Sequence, residues 1–510
     1  MTTLSVLGSR SVEEPCRSGR NGREEEFRVQ SALYIDNRSV AASGNATSVR
    51  LNPVTDIAAT VFAAATPQDC IAAVKSAAAA FPSWSKTGPN TRRDILLKAS
   101  ALLEERADQF VDAMMNETGA SMPWVRFNIR LAAGMLREAA SITTHIKGEI
   151  IPADKPGAYA FAFRRPVGVV LSIVPWNAPV ILAVRAFGTA LACGNTVVLK
   201  GSERSPATQF LLTKVMIDAG LPAGVMNYVT HTREDAAEVV EAMIACDEVR
   251  RVNFTGSTAT GRVIAQLGAK YLKPVLLELG GKAPLLVLED ADIDNAVRAA
   301  AFGGYMHQGQ ICMSTERIVL DAKIADEFAA KMKAKVGTLS AGDPQKSNTP
   351  LGGLIDKDAA GRVEGLIEDA IAKGAVALVR GSRDGAVMQP TLLDRVTPDM
   401  NIYYEESFGP VTCMMRVNDI EEAISVANDT EYGLKAGIFS RDVKRALEIA
   451  DRLEFGCCHI NGPTVYDEAQ MPLGGMKASG YGRFGGHAGI HEFTEIHWVS
   501  VEDPNQHYPI

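Results

Sequence analysis

The sequence predicts an α/β protein in which helices connect the strands of a mainly parallel sheet. From residue 167 onward, short apolar segments rich in β-branched residues alternate with helical patterns, which is the order of elements in a wound parallel sheet. The segment Val167–Val174 is apolar except for Ser172 and rich in β-branched residues, as expected of a strand buried on both faces. Hydrophobic residues make up 46% of the 510 residues and charged residues 22%. This balance is typical of a globular chain with a large core, and the length suggests roughly two to four domains.

The elements are predicted in a helical series, two α/β series and two separate β segments. The first series has apolar residues at three- and four-residue spacing in Gln68–Phe81 and Arg92–Glu117. Next, strands are predicted at Val167–Val174, Thr196–Leu199, Val225–Val229 and Val249–Phe254, and helices at Val180–Cys193, Pro206–Ala219 and Glu234–Ala245 and from Ser257. The second α/β series begins at Ala283–Leu288 and runs to about residue 470. Asp154–Phe163 and Phe493–Val501 have β-like composition outside both series, and we expect them to form a small separate sheet.

The charge balance argues against binding to nucleic acid or to a membrane. The chain has 52 Lys and Arg against 60 Asp and Glu, a formal net charge of -8. A mildly acidic chain without a basic block does not attract phosphate backbones or anionic lipids. No apolar run approaches the roughly 18 residues that a membrane helix needs, so we expect no membrane partner. Because of the charge balance, we also expect no nucleic acid partner.

The cysteines and the first residues indicate a cytoplasmic protein without a metal site. The eight cysteines form no CxxC pair, and several lie in apolar runs, which is typical of reduced, buried thiols. Residues 1–27 mix Arg with Glu and lack the apolar core of a signal peptide, so we interpret them as a polar extension. His487 and His491 are four residues apart but lack the Glu of the HExxH zinc motif, so no metal is expected.

A candidate phosphate-binding turn follows the predicted strand Val249–Phe254. Gly256, Ser257 and Gly261 lie where this strand gives way to a helix. A glycine turn that opens a helix presents free backbone N–H groups and the positive end of the helix dipole to a phosphate. The spacing is GxxxxG rather than the common GxGxxG, so a plain strand-to-helix turn is the alternative.

Lys200 and Glu203 are candidates for binding a ribose. They follow the predicted strand Thr196–Leu199, and ligands of wound sheets bind beyond the carboxyl ends of the strands. An acidic side chain there accepts from a ribose hydroxyl and a lysine donates to it; a solvated loop pair is the alternative. A carboxylate at the ribose would repel a 2′-phosphate, which favours NAD over NADP.

Three segments contain candidate catalytic residues. Asn177 lies between Pro175 and Pro179 directly after a buried strand, which makes it a well-fixed amide donor. Glu278 lies in an apolar run, where a carboxylate is costly unless it is used or paired; it is a candidate general base, and pairing with an Arg or Lys is the alternative. Cys312 comes after Gly309 at the end of the helix pattern Asp294–His307, so it is a candidate nucleophile, with a structural thiol as the equally open alternative.

Together these segments resemble the NAD(P)-dependent aldehyde dehydrogenase superfamily. The motifs occur in the family's order and spacing, at Pro175-Trp176-Asn177, Phe254-Thr255-Gly256-Ser257, Leu277–Lys282, Gly309–Cys312 and Glu406–Pro410. The resemblance spans about residues 30–500 and implies a Rossmann-like cofactor domain, an α/β catalytic domain and a small β oligomerisation flap that builds a homodimer or homotetramer. The expected boundaries are 1–27 for the polar extension, 28–152 and 169–279 for the NAD-binding domain, 280–489 for the catalytic domain, and 153–168 and 490–510 for the flap.

The resemblance also implies a role for each motif residue. Cys312 becomes the nucleophile and Glu278 the general base, while the Asn177 side chain and the backbone N–H of Cys312 form an oxyanion hole. The implied cofactor is NAD, with its contacts at Lys200 and Glu203 (adenosine ribose), Trp176, Gly256 and Ser257 (pyrophosphate side), Glu406 (nicotinamide ribose) and Phe408 (nicotinamide ring). One position departs from the family: where many members have a Glu that helps to relay protons, this chain has Phe484. Glu278 must therefore exchange protons with solvent by another route.

Two further residues suggest the class of substrate. Arg185 interrupts an otherwise apolar helical pattern, and Trp124 lies in a helix-rich region that the family uses to line its substrate tunnel. A cation and an indole suit an aryl aldehyde with a phenolic oxygen; an Arg paired with an acid at a subunit contact and a Trp in the core are the alternative. Because Ile311–Arg317 and Gly474–Gly486 resemble the benzaldehyde-type subgroup, which includes salicylaldehyde and vanillin dehydrogenases, we predict oxidation of a hydroxybenzaldehyde.

Other functions stay open at this point. An aliphatic or broad-specificity aldehyde dehydrogenase shares the same motifs. An acylating relative transfers the thioester to CoA or phosphate, although the presence of Glu278 argues against it because that reaction needs no base to activate water. A catalytically idle binding protein on the same fold is the third alternative, and the presence of the thiol, the base and the amide argues against it.

Overall fold

The structure, a computed structural model, describes residues 29–505, 507–508 and 510. The polar extension predicted for residues 1–27, which includes Cys16, lies outside these residues. The helices are α1 (Pro67–Trp84), α2 (Pro89–Glu105), α3 (Ala107–Thr118), α4 (Met122–Ser141), α5 (Pro179–Ala192), α6 (Pro206–Asp218), α7 (Ala236–Ala245), α8 (Thr258–Lys270), α9 (Ile293–Tyr305), α10 (Ala325–Val336), α11 (Lys357–Ala372), α12 (Asn401–Tyr404), α13 (Ile420–Asn428), α14 (Val443–Ala450) and α15 (Gly486–Glu492). None of the helices in this part of the chain combines the length and apolarity needed to cross a bilayer.

The strands form several sheets within the described residues. They are β1 (Val29–Ser31), β2 (Leu33–Ile35), β3 (Arg38–Val40), β4 (Thr47–Leu51), β5 (Ala58–Ala63), β6 (Glu149–Ile151), β7 (Tyr159–Pro166), β8 (Val169–Ile173), β9 (Thr196–Lys200), β10 (Met226–Val229), β11 (Val249–Thr255), β12 (Val275–Glu278), β13 (Ala283–Val287), β14 (Thr315–Asp321), β15 (Val376–Val379), β16 (Arg383–Asp384), β17 (Val387–Met388), β18 (Thr391–Asp394), β19 (Val411–Val417), β20 (Tyr432–Gly433), β21 (Lys435–Phe439), β22 (Cys457–Ile460), β23 (Met476–Lys477), β24 (Gly480–Tyr481) and β25 (Thr494–Val501).

The first large sheet has the strand order β24-β12-β11-β8-β9-β10-β2-β3. Its central strands β12, β11, β8, β9 and β10 are parallel, and helices that connect them in sequence cover both faces. Both faces are apolar: Val170 and Leu171, which point to opposite sides of β8, are fully buried in two different clusters. The α/β class with a wound parallel sheet is therefore confirmed.

The second large sheet has the order β15-β18-β19-β14-β13-β21-β22, and it too is parallel except for the edge strand β15. The polypeptide enters this sheet at β13, directly after β12 of the first sheet. The segment between β12 and β13 is Leu279–Lys282, so the residues that follow Glu278 pass from one sheet to the other. The space between the sheets is consequently lined by strand ends from both.

The small separate sheet predicted from composition is present. Strand β25 pairs antiparallel with β7 over its whole length, from Thr494 opposite Pro166 to Val501 opposite Tyr159. Strand β6 also belongs to it, although β6 lies before residue 153, where we expect the flap to begin. Several large apolar side chains of this sheet are exposed, among them Trp498 at 72%.

The long helical pattern predicted over Arg92–Glu117 is in fact two helices. Helix α2 ends at Glu105, and Arg106 has φ and ψ angles of −93° and 18°, outside the helical range, before α3 begins. Neither Gly nor Pro marks the break, and both helices bury apolar side chains, so the three- and four-residue spacing continues across it. Arg106 instead forms an ion pair with Asp218 at 2.6 Å.

Candidate active site

A cavity of about 660 Å³ opens at the carboxyl ends of β8, β11 and β12. This is the position at which wound sheets bind ligands, because turns and helix N-termini meet there. Ser257 is the N-cap residue directly before α8, and its side chain accepts from the backbone N–H of Thr260 at 3.3 Å. The walls include most of the predicted cofactor residues, namely Trp176, Gly256, Ser257, Glu406 and Phe408, together with Asn177 and Cys312.

The turn Glu406–Phe408 forms another part of the wall of this cavity. The Glu406 carboxylate accepts from the backbone N–H of Gly281 at 2.9 Å. A Cβ at Gly280 would lie 2.8 Å from Glu406 Oε2, so a glycine is needed for this approach. Phe408 has a positive φ of 49°, and its ring stands at 87° to that of Trp176, with 5.8 Å between centroids. An elongated ligand with flat ends and hydroxyl groups fits a cavity with these walls.

A buried carboxylate holds this turn from behind. Glu316 on β14 accepts from the backbone N–H groups of Ser407 and Phe408 and from the Ser407 hydroxyl. Lys282 supplies its counter-ion, with an Nζ–Oε2 distance of 2.5 Å. The turn is therefore fixed by charge-assisted bonds away from water, which are stronger than neutral ones. Glu316 and its neighbour Glu406 repel each other, and burial together with Glu316 raises the pKa of Glu406 to about 7.

Lys200 and Glu203 lie together at the end of β9, but neither is among the residues that line the cavity described above. Lys200 is buried, and burial lowers its pKa while Glu203 opposes the shift. Burial acts to raise the pKa of Glu203, but Lys200 and Arg204 outweigh it and hold that pKa below the usual value. The ionised form of Glu203 is thus favoured at neutral pH. Its contact with a ribose stays a prediction.

Cys312 follows an unusual turn. The sequence predicts a helix over Asp294–His307, but α9 ends at Tyr305, and His307, Gln308 and Gly309 then adopt positive φ angles of 51°, 56° and 71°. Left-handed backbone at residues other than glycine is strained and persists where the surroundings enforce it, which is frequent at functional sites. A Cβ at Gly309 would lie 2.1 Å from the carbonyl oxygen of Gly409. Only glycine permits this close packing, which presents Cys312 at the cavity.

The thiol, the carboxylate and the amide come together around one point. Cys312 Sγ lies 3.8 Å from Glu278 Oε1, and Glu278 is fully buried at the end of β12. Asn177, which follows β8, donates from Nδ2 to the carbonyl of Gln310 at 3.0 Å, two residues before Cys312. Burial, followed by the charge of Glu278, raises the pKa of the Cys312 thiol well above its usual value. The thiol is therefore protonated at rest, with Glu278 within reach of its proton.

Arg185 pairs with the carboxylate of Glu278. Its Nη1 lies 3.3 and 3.2 Å from the two Glu278 oxygens, and its Nη2 donates to Asp467. All three side chains are buried. Glu278 is therefore paired with an Arg, as the alternative interpretation expected. It also contacts the Cys312 thiol, at 3.8 Å. Arg185 also lines the second cavity described below, and its bond to a substrate stays a prediction.

A second cavity lies on the other side of Cys312. It is mainly apolar and is lined by Trp124, Phe127, Leu131, Asn177, Ala178, Ile181, Leu182, Arg185, Ile311, Cys312, Met313, Val465, Tyr466 and Asp467. Trp124 stacks between Phe127 and His307, at centroid distances of 5.5 and 4.7 Å. Its Nε1 donates to the backbone carbonyl of Asn177 at 3.0 Å, so the indole also fixes the amide donor. Asn177 and Cys312 line both cavities.

Two acidic residues of the site were not identified from the sequence. Glu316 lies in β14 between Thr315 and Arg317, so no apolar run singles out its carboxylate as one does for Glu278. Asp467 offers no such signal either. It follows β22 in a mixed polar loop and is 282 residues from its partner Arg185, so only the fold relates them.

The fold is a two-sheet α/β fold, and its site has one thiol, Cys312, in the wall shared by two cavities, with the buried carboxylate of Glu278 3.8 Å away. The family model described as "Aldehyde dehydrogenase family" matches residues 40–499, and the chain belongs to that family. Members of the family use NAD(P). The family, the fold class and the assignment as an enzyme that we predict from the motifs are confirmed.

Several relatives have names that match the predicted subgroup. The chain is 56% identical to a vanillin dehydrogenase of Pseudomonas fluorescens, over 94% of this chain and 99% of the relative. It is 49% identical to a salicylaldehyde dehydrogenase of Pseudomonas putida, over 94% and 100%. A crystal structure of a salicylaldehyde dehydrogenase from Pseudomonas putida G7, complexed with salicylaldehyde, superposes with a TM-score of 0.93 at 48% identity and covers 95% of this chain and 100% of its own.

Proposed function

We propose that the protein oxidises aromatic aldehydes of the hydroxybenzaldehyde type to carboxylic acids, with NAD as the hydride acceptor. One observation carries this proposal: Cys312 lies in the wall shared by the two cavities, 3.8 Å from Glu278. An aldehyde in the apolar cavity, the proposed substrate cavity, and a nicotinamide in the larger one, the proposed cofactor cavity, would thus meet at the thiol. The vanillin and salicylaldehyde dehydrogenases at 49–56% identity support the aryl substrate.

The side chains of the site account for each chemical step. Glu278 takes the proton of the Cys312 thiol, and the sulfur adds to the carbonyl carbon. The Asn177 amide and the Cys312 backbone N–H stabilise the resulting alkoxide. Acceptance of the hydride that leaves this thiohemiacetal is the chemistry that NAD supplies when bound. Glu278 releases this first proton towards solvent and, ionised again, deprotonates the water that hydrolyses the Cys312 thioester; a base in this position supports water over CoA as the acyl acceptor.

The cavity beside Cys312 supports an aryl substrate through its shape and its polar groups. The rings of Trp124 and Phe127 in the wall suit contacts with an aryl ring, edge-on or offset, and the Arg185 guanidinium at the wall suits a phenolic oxygen. The space measures about 40 Å³ in this structure, so a benzene ring enters only when side chains move. Phe127 and the exposed Tyr466 are the candidates for this movement, because Phe127 also lines two cavities at the surface.

We also propose that the enzyme uses NAD rather than NADP and works as a homodimer or homotetramer in the cytoplasm. The ionised Glu203 beyond β9 supports NAD, since it would repel a 2′-phosphate. The exposed apolar side chains of the β6–β7–β25 sheet support an assembly. The cysteines of the described residues are free thiols, in keeping with a reducing compartment.

The experiment that tests the proposal is a panel of salicylaldehyde, vanillin, benzaldehyde and a straight-chain aldehyde, each with NAD and with NADP. We expect kcat/KM to be highest for the hydroxylated aryl aldehydes with NAD, and the product to be the free acid with or without CoA. A higher kcat/KM for the straight-chain aldehyde would overturn the substrate proposal. Formation of a CoA ester would overturn hydrolysis as the final step.

A further inference from the structure

Glu278 must release a proton in every catalytic cycle, although its carboxylate is buried. Its side chain is fully buried, yet a base that takes a proton from water in every turnover must lose that proton before the next. Phe484, itself 2% exposed, has no group that can accept or pass a proton. The exit for the proton must therefore lie elsewhere around Glu278, and the charged group in contact with its carboxylate is Arg185.

Arg185 connects Glu278 to a second buried carboxylate. Its Nη1 lies within 3.3 Å of both Glu278 oxygens, while its Nη2 donates to Asp467, whose side chain is 5% exposed. One guanidinium and two carboxylates sum to a charge of −1 when Glu278 is ionised and to 0 when it is protonated. The guanidinium does not lose its own proton. It therefore fixes the two carboxyl groups on either side of one planar group without carrying the proton itself.

Asp467 also lies where three cavities meet. The first is the substrate cavity, which it lines with Arg185 and Cys312. The second is a space of about 30 Å³ that it lines with Arg185, Glu138 and Phe484, and this space is large enough to hold a water molecule. The third is a cavity of about 480 Å³ walled by the exposed side chains of Arg130, Arg137 and Gln470. Asp467 thus faces both the reaction centre and the surface.

We propose that Asp467 accepts the proton that Glu278 takes from the hydrolytic water, through a bridging water molecule, and releases it to solvent at the surface cavity. The inference rests on the proposed function, since hydrolysis of a Cys312 thioester is what produces the proton. Asp467 touches neither substrate carbon nor thiol in this role; it acts through Glu278 and is a positioning and proton-accepting residue.

The hydrolytic water loses one proton to the Glu278 carboxylate while its oxygen bonds to the thioester carbon. The C–S bond then breaks, the second proton of that water passes to the Cys312 sulfur and restores the thiol, and the product leaves as the carboxylate. The proton on Glu278 passes to the bridging water as that water gives one to Asp467, which later releases a proton to solvent. Glu138 and Glu468 line the small and surface cavities with Asp467 and are the other carboxylates on this route.

The test compares Asp467→Asn with the wild type at fixed pH. The amide oxygen can still accept from Arg185, but the side chain cannot take up a proton. We expect the first turnover to give a burst of NADH equal to the enzyme concentration at an unchanged rate. The steady-state kcat should then be lower by on the order of 10²-fold, the loss typical of removing one proton-transfer group. Rising concentrations of a small buffer such as imidazole should restore kcat in this variant and leave the wild type unaffected, and Asp467→Glu should retain most of the activity.

Asp394→Asn is the matched control. Asp394 is as buried as Asp467, at 4% exposure, and pairs with Arg416 at 2.7 Å, but it lines none of the three cavities. Its variant should lose stability and keep kcat. The proposal is overturned if Asp467→Asn keeps its kcat, if its burst and steady-state rates fall together, or if imidazole restores nothing. A wild type that forms no NADH with any aldehyde would overturn the proposed function itself, and this inference with it.

Discussion

At the scale of single residues, the site separates two carboxylates by their surroundings. Glu278 is buried against Arg185 and the thiol, whereas Glu406 lines the cofactor cavity, accepts from a backbone N–H and faces Glu316. The first is placed to move protons at Cys312. We propose that the second accepts hydrogen bonds from a ribose, and its ionised form is the stronger acceptor.

The ionisation of Glu406 predicts a pH dependence of cofactor binding. Its pKa in the free enzyme is raised to about 7 by burial and by Glu316, with Gly281, Lys282 and Arg362 opposing, so the protonated form prevails below that pH. Each pH unit below about 7 should weaken NAD binding by up to about tenfold. Calorimetric Kd values for NAD across this range measure the effect. Glu406→Gln should bind weakly at every pH, and a wild-type Kd that does not change with pH would contradict this role.

At the scale of elements, the turn Glu406–Phe408 depends on strand β14 behind it. Glu316→Gln should lower the free energy of unfolding by about 3–5 kcal/mol, because it leaves the fully buried Lys282 without a counter-ion. It should also raise the KM for NAD more than the KM for the aldehyde, since the turn contacts only the cofactor cavity. Chemical denaturation and steady-state kinetics measure the two effects.

The matched control for this variant is Glu327→Gln. Glu327 pairs with Lys331 at 2.9 Å, but its side chain is 58% exposed, and exposed pairs contribute about 0–1 kcal/mol. An equal loss of stability in both variants would show that the Glu316 pair has no special role in the turn.

At the same scale, the elements show what a sequence can and cannot predict. Strands such as Val167–Val174 are predictable because a parallel sheet buries both faces, and the structure places β8 within that range. The break at Arg106 is not, because the apolar spacing runs through it. The left-handed turn at His307 and Gln308 is also hidden, since neither residue type signals positive φ as glycine does.

The residues of the site likewise divide into those that the sequence can identify and those that it cannot. Asn177, Glu278 and Cys312 are identifiable because each occupies a position that is costly or unusual for its residue type within a local motif. The sequence could indicate that Glu278 pairs with an Arg or Lys, but it could not identify that partner as Arg185. Asp467 could not be expected at all, since its relation to the site depends on packing across 282 residues of chain.

At the scale of the whole molecule, the β6–β7–β25 sheet exposes an apolar surface that a monomer would leave in water. Trp498, Ile150 and Ile496 are 72%, 75% and 64% exposed. Trp498→Glu should therefore shift the protein from an oligomer to a monomer in light scattering after size exclusion. Leu272→Glu is the control, because Leu272 is 90% exposed in the loop after α8, and its variant should keep the wild-type mass. A wild type that is already monomeric would contradict the proposed assembly.

The arrangement of Cys312 beside Glu278 between two cavities is tested most directly by trapping the acyl-enzyme. Glu278→Gln should form one NADH per site with salicylaldehyde and NAD and then stop, because no base activates the water. Intact-mass spectrometry should show the chain carrying one salicyloyl group, located on the Cys312 peptide and missing from a Glu278→Gln, Cys312→Ala double variant. Continuous turnover without a covalent adduct, or an adduct that survives the loss of Cys312, would contradict the account.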